Sequence, residues 1–124
     1  MKLTPDHIEA LVVAVLAVNR YPLEKVWGQL SGLRAKRLTD PEWVAGADLG
    51  DVVVNLAASG HDRGMLTGMM AERLQVLMQA VFAGTLDTLP GLLAKGDTEA
   101  VVKLLCTVKG IGPRVAANAL MLLK

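Results

Sequence analysis

Leu104-Leu105-Cys106-Thr107-Val108-Lys109-Gly110-Ile111-Gly112-Pro113-Arg114-Val115-Ala116 is the stretch on which the reading of this chain turns. An apolar helical pattern runs into Gly-Ile-Gly, and a proline then opens a second apolar pattern. Glycines so placed supply backbone conformations that a residue with a Cβ avoids, and they leave the main chain open to close approach. Pro113 suits the first position of a helix, where a missing N–H is no loss. The remaining amides of that first turn point outward, and the helix dipole favours an anion there. Lys109 and Arg114 flank the turn and add charge for the same phosphate.

This combination reads as a phosphate-holding turn, with Lys109, Gly110, Ile111, Gly112, Pro113 and Arg114 as its contact residues. The plain alternative is a glycine corner between two helices, and Gly-x-Gly alone would favour it. A Walker P-loop is excluded, since no strand precedes and the Gly-Lys-Ser/Thr ending is missing. A Rossmann fingerprint lacks its third glycine and its βαβ setting.

Outward from the hairpin the chain is punctuated for helices. Thr4 is an N-cap with Pro5 at the first helical position, and Ile8, Leu11, Val12, Val15 and Leu16 form one apolar face. Pro22 opens a second helix carrying Leu23, Val26, Trp27 and Leu30, followed by a basic connector from Gly32 to Thr39. Asp40-Pro41-Glu42 starts another helix and Asp48 caps the next. Val52-Val53-Val54 has strand propensity, yet the flanking caps and Leu56-Ala57-Ala58 favour helix. Leu66, Met70, Leu74, Leu77 and Val81, widened by Met65, Met69 and Met78, form the longest stripe and predict a central helix ending at Gly84. Thr85 to Gly96 reads as loop with one short helix at most, and Asp97 starts the helix that leads into the hairpin. The expectation is an all-α compact bundle of about eight short helices in a single domain, 1–124, with the helix-hairpin-helix at 98–123.

Composition narrows the function classes. With 52% apolar and 20% charged residues the chain can bury a core, and two Trp, one Tyr and one Phe leave that core mostly aliphatic. A net charge of +1 means that any nucleic-acid surface must come from local placement of Lys and Arg. The single Cys106 excludes an internal disulfide and a four-cysteine metal or iron–sulfur site, and its apolar neighbours suggest a buried, inert thiol. Met1 to His7 starts a helix and carries an acid rather than a signal-peptide pattern, and no apolar run has the length of a membrane span. A cytoplasmic setting, nucleoid-associated if bacterial, is expected, with no metal, no cofactor and no membrane partner.

Val108-Lys109-Gly110-Ile111-Gly112-Pro113-Arg114-Val115-Ala116 resembles the helix-hairpin-helix motif of the DNA glycosylases typified by endonuclease III. Leu11 to Leu30, Asp40 to Gly60 and Arg63 to Gly84 are similar to that family's earlier helices, although the hairpin alone is specific. The resemblance implies the six-helix-barrel part of the glycosylase fold, base excision repair as context and double-stranded DNA, damaged or not, as partner. It also implies where Asn19 falls, at the family's position for a side chain that fills the gap left by a flipped base, with Arg20 and Tyr21 near the DNA backbone. A turn or cap is the commoner use of such an Asn.

The chain departs from the family at the chemistry. Arg114 stands where bifunctional members carry a catalytic Lys, and a guanidinium is a poor Schiff-base nucleophile. The family's essential Asp follows the second hairpin helix, and the chain stops at Lys124 before that position, which implies either a shortened, non-catalytic relative or a fragment. The cluster-binding cysteines are also missing, so no iron–sulfur cluster is expected.

Three functions follow. The first is a DNA-binding domain without independent catalysis. The second is an active monofunctional glycosylase with an unusual carboxylate, for which Asp62 is the weak candidate. The third is a helical interaction module whose hairpin is only a turn, dimerising through a Met-rich face. His61-Asp62 otherwise reads as a polar turn, Trp27 and Trp43 as core or staple positions, and Arg34-Lys36-Arg37 as a solvated loop or an extended phosphate track.

Overall fold

The computed structural model describes residues 3–18 and 21–124, and among them every regular element is helical. α1 (Pro5–Leu16) begins with a reciprocal cap: Thr4 Oγ1 accepts the His7 amide at 3.2 Å, and His7 Nδ1 accepts the Thr4 amide at 3.3 Å. Every residue from Ala10 to Leu16 is buried, so α1 hides its whole circumference rather than the single face its spacing predicted. The cause is its place in the fold, with one long helix and the last helix both packed on it.

The expected single helix after Pro22 is two helices, α2 (Leu23–Gly28) and α3 (Leu30–Ala35), and α3 occupies much of the expected basic connector. Leu30, Leu33 and Leu38 are buried at this corner, and burial of each leucine is worth about 1.5–3 kcal/mol. The corner is tight: a Cβ on Gly32 would collide with the Ser59 carbonyl oxygen. Arg37 ends the turn in the left-handed region at φ 64°, and the Leu38 amide reaches back to the Leu33 carbonyl at 2.9 Å.

α4 (Pro41–Gly46) and α5 (Leu49–Ala58) start as their caps dictate. Asp40 accepts the amides of Glu42 and Trp43 at 3.1 and 3.4 Å, and Asp48 accepts that of Gly50 at 3.3 Å. Val52-Val53-Val54 is helical, with Val52 buried and Val54 facing out. A 3₁₀ turn (Gly64–Leu66) leads into α6 (Thr67–Phe82), followed by α7 (Leu89–Ala94), α8 (Thr98–Leu105) and α9 (Pro113–Leu123). Among the described residues nine α-helices stand where about eight were expected.

α6 takes α4 and α5 against its sides and α1 along another, α9 packs on α1 and α8, and α8 packs on α7. α6 is thus central, as its stripe predicted, but α1 shares the role. Met70 and Met78 belong to the core and Met69 is half-buried, whereas Met65 lies in the 3₁₀ turn and is fully exposed, outside the stripe. Trp43 packs against the core, but Trp27 is 52% exposed, because Val26 takes the inward position of α2. Cys106 is exposed, not buried: it caps the C-terminus of α8 one residue beyond the inward-facing Leu105. No described helix is long and apolar enough to cross a membrane.

Candidate nucleic-acid interface

The hairpin is built by three short backbone bonds and two buried pegs. The Val108 amide donates to the Leu105 carbonyl at 3.1 Å, that of Ile111 to Val108 at 3.0 Å, and that of Ala116 to Gly112 at 2.9 Å. Val108 and Ile111 point into the core, so the turn is fixed from inside while Lys109, Gly110, Gly112, Pro113 and Arg114 stay exposed. Gly110 has φ 95°, a left-handed value that side chains rarely adopt, so a glycine is needed there. Gly112 has φ −93° and ψ −178°, ordinary extended backbone, so its lack of a side chain serves access and not conformation.

Gly112 is also the N-cap of α9 and brings no side chain to its amides. The other long helices, α1, α5 and α8, with the exception of α6, have their first turn closed by Thr4, Asp48 and Asp97. Among the described residues nothing accepts the amides of Gly112, Arg114 or Val115, and neither Lys109 nor Arg114 has an ion-pair partner. The positive end of α9 and two cations therefore share one open surface.

Sequence reasoning missed a third cation. α6 places Arg73 against the turn, with its Cγ 3.4 Å from where a Cβ on Gly110 would stand. Met69, Glu72, Arg73 and Val76 of α6, with Lys109 and Gly110, line a half-open cleft of about 250 Å³. The spacing i, i+3, i+4, i+7 put those four on one helical face, but the packing that brings the hairpin to it is not local.

The other expected residues are placed elsewhere or not at all. Asn19 and Arg20 lie outside the described residues. Asp62 is exposed, and its Oδ1 accepts the Gly64 amide at 3.0 Å, which makes it a turn residue that does not line the cleft beside the hairpin. Arg34 is not free for a phosphate track: its Nε and Nη2 grip both carboxylate oxygens of Glu9 at 2.5 and 2.7 Å, tying α3 to α1. That fork holds the Glu9 carboxyl below its usual range, chiefly through the hydrogen bond, against a smaller opposing effect of burial.

His61 is more than a polar turn, because it is fully buried. Gln29 Nε2 donates to the Tyr21 hydroxyl at 2.6 Å and to the Gly60 carbonyl at 3.1 Å, which orients the amide and leaves its Oε1 as an acceptor. His61 Nδ1, 2.9 Å from that oxygen, must then be the protonated nitrogen. Nε2 is buried without a partner among the described residues. Tyr21 lies edge-on to the His61 ring, with centroids 4.9 Å apart, and carries Lys25 Nζ at 4.9 Å and the Arg63 guanidinium at 4.4 Å over its own ring. Arg63 Nη1 also donates to the Val18 carbonyl at 3.1 Å. Burial first, then the charges of Arg63 and Lys25, lowers the His61 pKa to about 4. No part of this cluster was legible locally, since Gln29 and His61 are far apart in sequence.

No group of three or more His, Cys, Asp or Glu side chains placed to hold a metal ion occurs among the described residues. Compared with models of known families, with curated proteins and with solved structures, the chain gives no match.

Proposed function

We propose that this chain is a DNA-binding helix-hairpin-helix domain of the glycosylase type, holding duplex phosphates at Gly110 to Arg114 without excising a base itself. One observation carries the reading: the exposed N-terminus of α9, with no side-chain cap, is set beside Lys109 and Arg114, which have no ion-pair partner among the described residues, on a turn whose left-handed Gly110 is pegged by buried neighbours. Amides and cations converging on a phosphate fix the position of a duplex and read no sequence. Asp62, committed to its own turn, gives no support to a carboxylate mechanism, and a guanidinium at position 114 is a poor Schiff-base nucleophile.

Duplex affinity measured across a salt series tests this. Binding should weaken steeply with salt, and Lys109→Ala or Arg114→Ala should each lower the slope by about 0.9. Absence of duplex binding at low salt would sink the proposal. Release of a free base from damaged duplexes, lost in Asp62→Asn, would favour the glycosylase instead.

A specific feature favours the interaction module as the second reading. Leu23, Trp27, Met121 and Leu122 line an open apolar cleft, with Trp27 and Met121 more than half exposed. That face, not the largely buried methionine stripe, would carry self-association. A mass that rises with concentration in a chain that ignores DNA would support it.

A further inference from the structure

The cleft between α6 and the hairpin is shaped by the residue that the turn rests on. The aliphatic stem of Arg73 lies across the backbone of Gly110, within 3.4 to 4.0 Å of the position a Cβ would take there. The stem is therefore held, and Arg73 lines the cleft together with Lys109. Neither cation has an ion-pair partner among the described residues, and Glu72, in the same lining, pairs with neither. Met69 and Val76 supply apolar surface in the same lining.

We infer that this cleft is a second backbone-binding subsite for duplex DNA, in which Arg73 takes the phosphate next to the one held by the hairpin amides, Lys109 and Arg114, and Met69 and Val76 pack against its sugar. The inference rests on the DNA-binding reading and extends it by a residue on a different helix. A guanidinium presents two parallel donors to phosphate oxygens, which suits it to hold a phosphodiester in one orientation. An apolar floor suits the deoxyribose ring, which carries little polar surface of its own. Glu72 opposes the anion and offsets part of what Arg73 contributes. A purely structural Arg73, there only to cover the turn, would need its stem and not its charge.

That difference is measurable with a labelled, undamaged duplex of about two helical turns and the intact chain. Arg73→Met keeps the stem and removes the charge. Its thermal midpoint should match the wild type, while low-salt affinity falls roughly tenfold and the salt slope drops by about 0.9. Arg73→Lys should restore the slope. Glu72→Gln should tighten binding severalfold with the slope unchanged. An Arg73→Met slope equal to the wild type, with Arg114→Ala still lowering it, overturns the subsite and leaves the hairpin reading intact. An unaltered affinity in Glu72→Gln likewise overturns the cleft as the strand's path. A wild-type chain that does not bind the duplex at low salt overturns both.

Discussion

Two cationic regions of this molecule use the same residue types to opposite ends. Around Tyr21, the charges of Lys25 and Arg63 lie over one ring, Arg63 also grips the Val18 carbonyl, and Gln29 ties Tyr21, Gly60 and His61 together. At the hairpin, Lys109 and Arg114 face solvent, and the amides at the start of α9 have no partner among the described residues. The first region is closed by internal contacts and has little left to offer a ligand. The second is held in shape from beneath by Val108 and Ile111, and its polar groups remain available. What marks the proposed binding surface is a fixed backbone with charges that have no partner among the described residues, and an inventory of Lys and Arg alone would rank the two regions together.

The largest test of this contrast is pH. His61 titrates near 6.5 when unfolded and near 4 when buried, so the unfolded chain binds more protons between those values. Stability should be whole above about pH 6.5 and fall as the pH is lowered toward 4, by roughly 3 kcal/mol in total. Urea midpoints followed from pH 7 to pH 4 in the wild type and His61→Gln should diverge across that window. Parallel curves would mean that His61 is not held neutral by its surroundings.

Next in size are two glycines, one in each region and each for a different reason. Gly32→Ala drives a Cβ into the Ser59 carbonyl beside the Gln29–Gly60 junction, and should cost about 2 kcal/mol with little effect on DNA affinity beyond lost folded protein. Gly110→Ala strains a left-handed turn and presses on Arg73, for about 1–2 kcal/mol, and should also weaken duplex binding at temperatures where the chain is folded. If both variants lose binding in proportion to their stability alone, the contrast between the regions collapses. Smallest in stability are Lys109→Ala and Arg114→Ala, expected within about 0.5 kcal/mol of the wild type by denaturation while each changes the salt slope. A stability loss well beyond that would show these side chains to be structural.

Helix starts were readable because their chemistry is local. Thr4-Pro5, Asp40-Pro41, Asp48 and Asp97 cap the elements they announced, and Pro113 opens α9 behind its glycine. α3 was hidden because Arg34, Lys36 and Arg37 read as a solvated run, although Leu30 and Leu33 already had helical spacing and Leu38 completes the buried corner. Facing was less legible than helicity. Trp27 and Cys106 sit among apolar neighbours, yet each stands at the end of a helix where a shift of one residue decides between core and solvent. At the candidate site, the hairpin residues followed from their order in the chain. Arg73 and the His61 cluster did not, because they depend on which helices meet, and that is a property of the whole packing.

The burial of α1 has a consequence for how the chain is made. Its apolar run from Ala10 to Leu16 is synthesised well before α9, which packs on it. Until then α1 has chiefly α2 and, later, α6 to shelter it, and its contact with α9 joins elements far apart in sequence. The nascent chain should therefore depend on chaperone cover until α9 has emerged, and release from that cover should coincide with the docking of the helix that follows the hairpin.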